Sequence, residues 1–153
     1  MIYTTLTRIR EHGPCAPGWR KLLSHLGKTQ ADDAPLSYVT ILESNGLDDA
    51  LWCCRAEPQH ARDWQLFAVR CARSVQHLMV DPRSIAALDF AERHADGLAS
   101  DAARAAARAA AWAAARAAAW DSASAADRDS AWDSAWAAMT EDFRRVVTEG
   151  GAA

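Results

Sequence analysis

From Leu98 to Glu149 the chain contains neither glycine nor proline. The residues that most readily end a helix are absent there, which excludes a turn-rich or β-sandwich reading of the C-terminal third. The four cysteines, Cys15, Cys53, Cys54 and Cys71, form no Cys-x-x-Cys pair, and neighbours such as Cys53 and Cys54 seldom bridge each other. This usage fits a reducing compartment, where cysteine behaves as a small core residue. No run of about 18 apolar residues is free of charge, so no membrane-spanning helix is expected. The N-terminus, Met1 to Arg8, lacks the basic, apolar and small-residue order of a signal peptide. A soluble, cytoplasmic protein is the expectation.

Basic charge is also scarce. The net charge is −3, with nine Lys/Arg against eight Asp/Glu in residues 1–80 and eight against twelve in residues 81–153. The acids concentrate from Asp121 to Glu149, seven against three arginines. A chain of this sign, with no basic stripe beyond Arg104, Arg108 and Arg116, argues against direct nucleic-acid binding.

What the chain has in abundance is alanine: fourteen of the twenty residues from Asp101 to Trp120. Alanine loses no side-chain entropy on entering a helix, so this is the firmest helix of the sequence. Its large side chains, Arg104, Arg108, Trp112, Arg116 and Trp120, recur every four residues and share one broad face, with a bare alanine face behind. The alanine face suits close approach by another helix. On the other, each arginine stands one turn from a tryptophan, within reach of cation–π stacking. Trp112 and Trp120 suit an intramolecular seam or a partly exposed binding face, since Trp and Arg are enriched at interface hot spots.

One helix of about 48 residues would run about 72 Å, roughly twice the diameter of a compact globule of this size. A break is therefore predicted in 121–130, where Ser and Asp cluster. After it Trp132, Trp136, Met139, Phe143, Val146 and Val147 form an apolar stripe of helical period, predicting a last helix over 131–147 that packs antiparallel on 101–120. Asp127, Asp129 and Asp133 read as a solvated face or as the docking site for a basic partner.

Residues 4–12 predict a short helix ended by Gly13-Pro14. A second starts at Pro17, buries Trp19, Leu22, Leu23 and Leu26, and ends at Gly27. A third opens near Pro35 and ends at Asn45-Gly46, although Tyr38 to Ile41 also suits a strand. Asp48 is expected to cap a helix over 49–56. Pro58 begins a longer one carrying Trp64, Phe67, Ala68, Cys71, Val75 and Leu78, and Asp81-Pro82 another that runs to Gly97. Length and pattern give one all-α domain, 1–153, of about eight antiparallel helices in a compact bundle. It has a short-helix half, 1–97, and an alanine/tryptophan-rich half, 98–149, whose two helices close the bundle.

Candidate chemistry is thin. Gly27-Lys28-Thr29 imitates the tail of a phosphate loop, but position 22 is leucine within a helix, so a helix end accounts for it better. His12, Cys15 and His25 include a His-x-x-Cys spacing without a second ligand pair, and cap or core roles suffice. Asp32-Asp33 and Asp48-Asp49 suit a divalent metal or, more simply, loop solvation and capping. No catalytic residue, metal or cofactor is expected. Trp19, Trp52 and Trp64 read as core.

The run Gly18-Trp-Arg-Lys-Leu-Leu-Ser-His-Leu-Gly-Lys28, then Ala31-Asp-Asp-Ala-Pro-Leu36, then Ile41 to Arg55, followed by the Ala/Trp/Arg/Asp tract, resembles the alanine-rich immunity proteins of immunity family five. These occur beside bacterial polymorphic toxins and in phage genomes. The resemblance covers most of the chain and implies an intracellular, helical, non-catalytic protein that binds and neutralises a macromolecule. A phage-encoded inhibitor of a bacterial defence complex, of anti-CRISPR type, is the alternative. The candidate partner-binding residues are Arg104, Arg108, Trp112, Arg116, Trp120, Asp127, Asp129 and Asp133.

Overall fold

A computed structural model of the chain describes residues 1–74, 76 and 125–150, and for 125–128 the description is of the backbone. These residues are mostly helical. In chain order they form β1 (Tyr3–Thr4), α1 (Leu6–Glu11), α2 (Ala16–His25), β2 (Leu36–Ser37), α3 (Tyr38–Asn45), α4 (Leu47–Cys53), two 3-10 turns (Cys54–Ala56 and Pro58–His60), α5 (Ala61–Ser74) and α6 (Ala125–Glu149). The expected 101–120 helix, its alanine seam with the last helix, the 81–97 helix and the positions of Val75 and Leu78 lie outside the described residues.

The first departure from the all-helical expectation is a two-stranded antiparallel ribbon, pairing Tyr3 with Ser37 and Thr4 with Leu36. It takes Thr4 out of the predicted first helix and moves the start of the third from Pro35 to Tyr38. The Ile-Tyr-Thr-Thr start suits extended chain, and its neighbours are satisfied in place: Ile2 N–H donates to the Val147 carbonyl (2.6 Å) and Tyr38 N–H to the Ile2 carbonyl (3.2 Å). The ribbon thus joins the N-terminus to the last helix. A hydroxyl cap opens the helix after each strand. Thr5 Oγ1 accepts from Arg8 N–H at 3.2 Å, and Ser37 Oγ accepts from Thr40 N–H at 3.1 Å, each satisfying an orphan donor of a first turn.

Gly27 (φ 64°) ends α2 as predicted, with Lys28 N–H reaching back to the Leu23 carbonyl at 2.9 Å. Lys28 also binds Asp32 at 2.6 Å, and this hydrogen bond is the main reason the Asp32 carboxyl lies below the usual carboxylate range. Gly46 (φ 92°) turns α3 directly into α4. Because this one glycine makes the corner, α4 begins at Leu47, and Asp48 and Asp49 lie in its first turn instead of capping it. They still complement the helix dipole there.

The core is centred on Trp64 of α5. Its ring lies 5.3 Å from that of Tyr38 and stacks on Phe143 of α6 at 5.9 Å and 23°. Phe143 meets Phe67 edge-on at 5.4 Å. The polar edges of these aromatics are satisfied, Tyr38 Oη donating to the Cys53 carbonyl (2.8 Å) and Trp64 Nε1 to that of Glu57 (3.3 Å). Met139, Phe143, Val146 and Val147 are buried and Trp132 and Trp136 half-buried, so the predicted stripe is the packed face of α6. Arg70–Asp142 and Arg144–Glu43 pairs, both 2.9 Å, fasten that helix to α5 and α3.

The predicted break needs correction over 125–130, which is helical and continuous with 131–149. Ser and Asp cost less than about 0.7 kcal/mol each in a helix, less than the burial of the aromatic stripe that follows contributes. Among the described residues no helix is long and apolar enough to cross a membrane.

Candidate functional site

Concave surface is found where α2, α3 and α4 meet. A cavity of about 280 Å³ is lined by Ile9, Leu22, Ile41, Trp19 and Trp52, with Pro14, Gly18, Cys15 and Cys53, and three polar side chains, Asn45, Asp48 and Asp49. Two local features shape it. Asn45, the last residue of α3, donates through Nδ2 to the Gly18 carbonyl at 2.9 Å and to Asp49 Oδ2 at 2.7 Å, tying all three helices together. Ser44 Oγ in turn donates to Asn45 Oδ1 at 2.6 Å, which fixes the amide's orientation. Gly18 leaves room for this approach: a Cβ there would lie 2.7 Å from Asp49 Oδ2 and 3.1 Å from Cys15 Sγ, so those side chains would have to shift.

The two indoles are the large surfaces of the site. Trp19 and Trp52 are half-buried, packed against the core but not part of it. This corrects the expectation that both are core residues; Trp64, at 1% exposure, is one. Trp52 carries the chain's own Arg55 guanidinium 3.9 Å above its ring, and Arg55 Nε donates to the Trp52 carbonyl at 2.9 Å.

The thiols differ in environment. Cys15 is exposed at the start of α2, whereas Cys53, Cys54 and Cys71 are buried. Burial, with a smaller contribution from the Asp49 charge, pushes the Cys53 thiol up to about 12, and burial followed by Asp142 does the same to Cys71. At pH 8 a thiol of that pKa is thiolate in roughly one part in ten thousand, and the thiolate is the reactive form. One fast alkylation by iodoacetamide, at Cys15, is therefore expected of the folded chain, with three further equivalents only in denaturant. Peptide mass mapping checks this, and rapid labelling of Cys53 in the native state would contradict it.

Of the sequence-predicted site residues, Arg104, Arg108, Trp112, Arg116 and Trp120 lie outside the described residues, as does the side chain of Asp127, whose backbone is helical. Asp129 and Asp133 are exposed on α6. Beside them Trp132 and Trp136, one turn apart, stack in parallel with ring centres 6.2 Å apart and planes within 5°. Among the described residues no three His, Cys, Asp or Glu side chains gather as a metal site. His12 and Cys15 are both exposed.

The cavity was not legible beforehand, because its parts come from four helices, α1 to α4, whose convergence is tertiary. The sequence signal was the pairing of Asp48-Asp49 with Trp52 one turn on, which places acid and indole on one short helix. The chain matches no protein-family model, and comparison with curated proteins and with solved structures returns no match.

Proposed function

We propose that the chain is a non-catalytic protein-binding inhibitor, an immunity protein that neutralises a bacterial toxin by covering it. The observation that carries this reading is the α2–α3–α4 cavity, where two half-buried tryptophans and two aspartates frame a hollow of about 280 Å³. Interfaces draw most of their affinity from such sites, in which an anchor residue of one partner fills a pocket of the other and water is excluded around it. The resemblance to immunity family five supplies the class of partner, and the Arg/Trp ladder from Arg104 to Trp120 is a second candidate surface.

The acidic outer side of α6 favours a second reading. Asp129, Asp133 and Glu141 are exposed on one helix, a surface suited to a cationic groove that otherwise holds nucleic acid. A phage-encoded inhibitor of a defence complex, of anti-CRISPR type, would use that side. Gene neighbourhood separates the two, a toxin gene upstream favouring the first and phage structural genes the second.

Affinity capture with the full chain from its native host or an infected cell, followed by mass spectrometry, identifies the effector to test. Stoichiometric loss of that effector's activity on adding the chain is expected. An effector that stays fully active in excess of the chain overturns the proposal.

A further inference from the structure

Resting on the protein-binding reading, we infer that the α2–α3–α4 cavity takes one uncharged aromatic side chain, a phenylalanine, presented by the partner. The pairing already present in the lining selects that chemistry. Asn45 commits its amide to the Gly18 carbonyl and to Asp49 Oδ2, and its own oxygen accepts from Ser44. Asp48 has a partner of its own within the chain. A polar guest would give up water for walls whose three polar side chains are already engaged, and that exchange costs free energy. Charge of either sign is opposed. Asp49 is bonded to a neutral amide, so its carboxylate charge is not cancelled there and repels an anion. Arg55 lies over the Trp52 ring at 3.9 Å, so a cation finds that ring taken and meets like charge beside it.

What the cavity offers instead is apolar surface, from Ile9, Pro14, Leu22 and Ile41 together with the two indoles. Trp19 is the open one of that pair. It packs against the core, yet among the described residues it stacks on no other ring and carries no cation, unlike Trp52. Aromatic rings attract each other beyond the area they bury, in offset or edge-on packing, and a ring hung on two χ angles loses little entropy when it docks. The volume agrees. An apolar cavity of about 150 Å³ takes benzene, and this one, at about 280 Å³, has room for a phenyl ring and the methylene that bears it.

The test uses the full chain, labelled with ¹⁵N, and four acetylated tripeptide amides in which glycines flank phenylalanine, leucine, arginine or glutamate. A saturable shift of the Trp19 indole N–H signal is expected with phenylalanine, while that of Trp64, in the core, stays still. Leucine should bind roughly threefold more weakly, for want of a ring to pack on Trp19. Arginine and glutamate should bind about tenfold more weakly, since each brings an unpaired charge out of water. Trp19→Leu, read at the Trp52 signal, should erase the preference for phenylalanine over leucine, which a merely structural role of Trp19 would leave in place. A preference that survives there, any other peptide matching phenylalanine on the wild-type chain, or indole signals that ignore all four overturns the aromatic anchor. An effector inhibited by a chain whose indoles ignore every peptide overturns the anchor and leaves the inhibitor reading standing. Selective phenylalanine binding upholds the anchor even where excess chain leaves the effector active, which is the result that removes the inhibitor reading.

Discussion

Phe143→Ala is expected to destabilise the fold by about 4 kcal/mol, the middle of the range for truncating a buried phenylalanine. The side chain is completely buried and lies between the rings of Trp64 and Phe67, 5.9 and 5.4 Å away. Removing it takes away apolar burial, two aromatic contacts and the main attachment of α6 to α5. The Trp64 ring is restrained from moving into the space by its hydrogen bond to the Glu57 carbonyl. For a chain of this length the loss corresponds to a fall of about 10 °C in melting temperature. Phe143→Leu conserves most of the volume and should cost about 1 kcal/mol. Thermal and urea melts of the three proteins check this, and Phe143→Ala melting with wild type would mean that α6 does not depend on the aromatic centre.

That Phe143 matters was readable from the sequence, because a stripe of Trp132, Trp136, Met139, Phe143, Val146 and Val147 has one period and one buried side. The same holds for the helix ends at Gly27 and Gly46, where a positive φ demands glycine. What could not be read is whatever depends on a partner distant in the chain. Thr4 has the same intrinsic leaning whether it begins a helix or ends a strand; pairing of Tyr3 and Thr4 with Ser37 and Leu36 decides it. Asp48 looked like a cap because acids favour that position. Gly46 made the corner two residues earlier, and the acid became part of the first turn.

The site follows the same division. Trp19 and Trp52 each lie on an apolar helical face, so periodicity assigned both to the core. Periodicity reports which side of a helix faces inward, not whether the inward side is filled. Here the close approach at Gly18 and the bridge from Asn45 leave a hollow among four helices, and the two indoles line it. The Asp48–Asp49 pair and Trp52 one turn on were both visible in the sequence, but capping and loop solvation were a sufficient account of the acids and core burial of the indole.

The second large effect concerns Glu57, an ionisable side chain with 0% exposure just before the helix-starting Pro58. Its carboxylate receives Arg8 Nη1 at 2.5 Å, with Gln59 on the same oxygen, while Oε1 has no hydrogen-bond partner among the described residues. The backbone of Glu57 is fixed on both sides, its N–H donating to the Cys54 carbonyl (3.2 Å) and its carbonyl accepting from Trp64, so the residue stays in its buried position when the partner is removed. Arg8→Ala therefore strands a buried charge and should cost about 3 kcal/mol, the low end for breaking a buried pair because Arg8 itself is half-exposed. Glu57→Gln removes the charge and leaves an arginine that water can solvate, so it should cost about 1 kcal/mol. If the penalty comes from the stranded carboxylate, then Arg8→Ala/Glu57→Gln must be more stable than Arg8→Ala alone, a sign reversal that lost packing cannot produce. Urea denaturation of the four proteins closes the cycle. Strictly additive losses would show instead that Arg8 contributes through its aliphatic stem against α1 and the turn, with the charge at Glu57 tolerated without it.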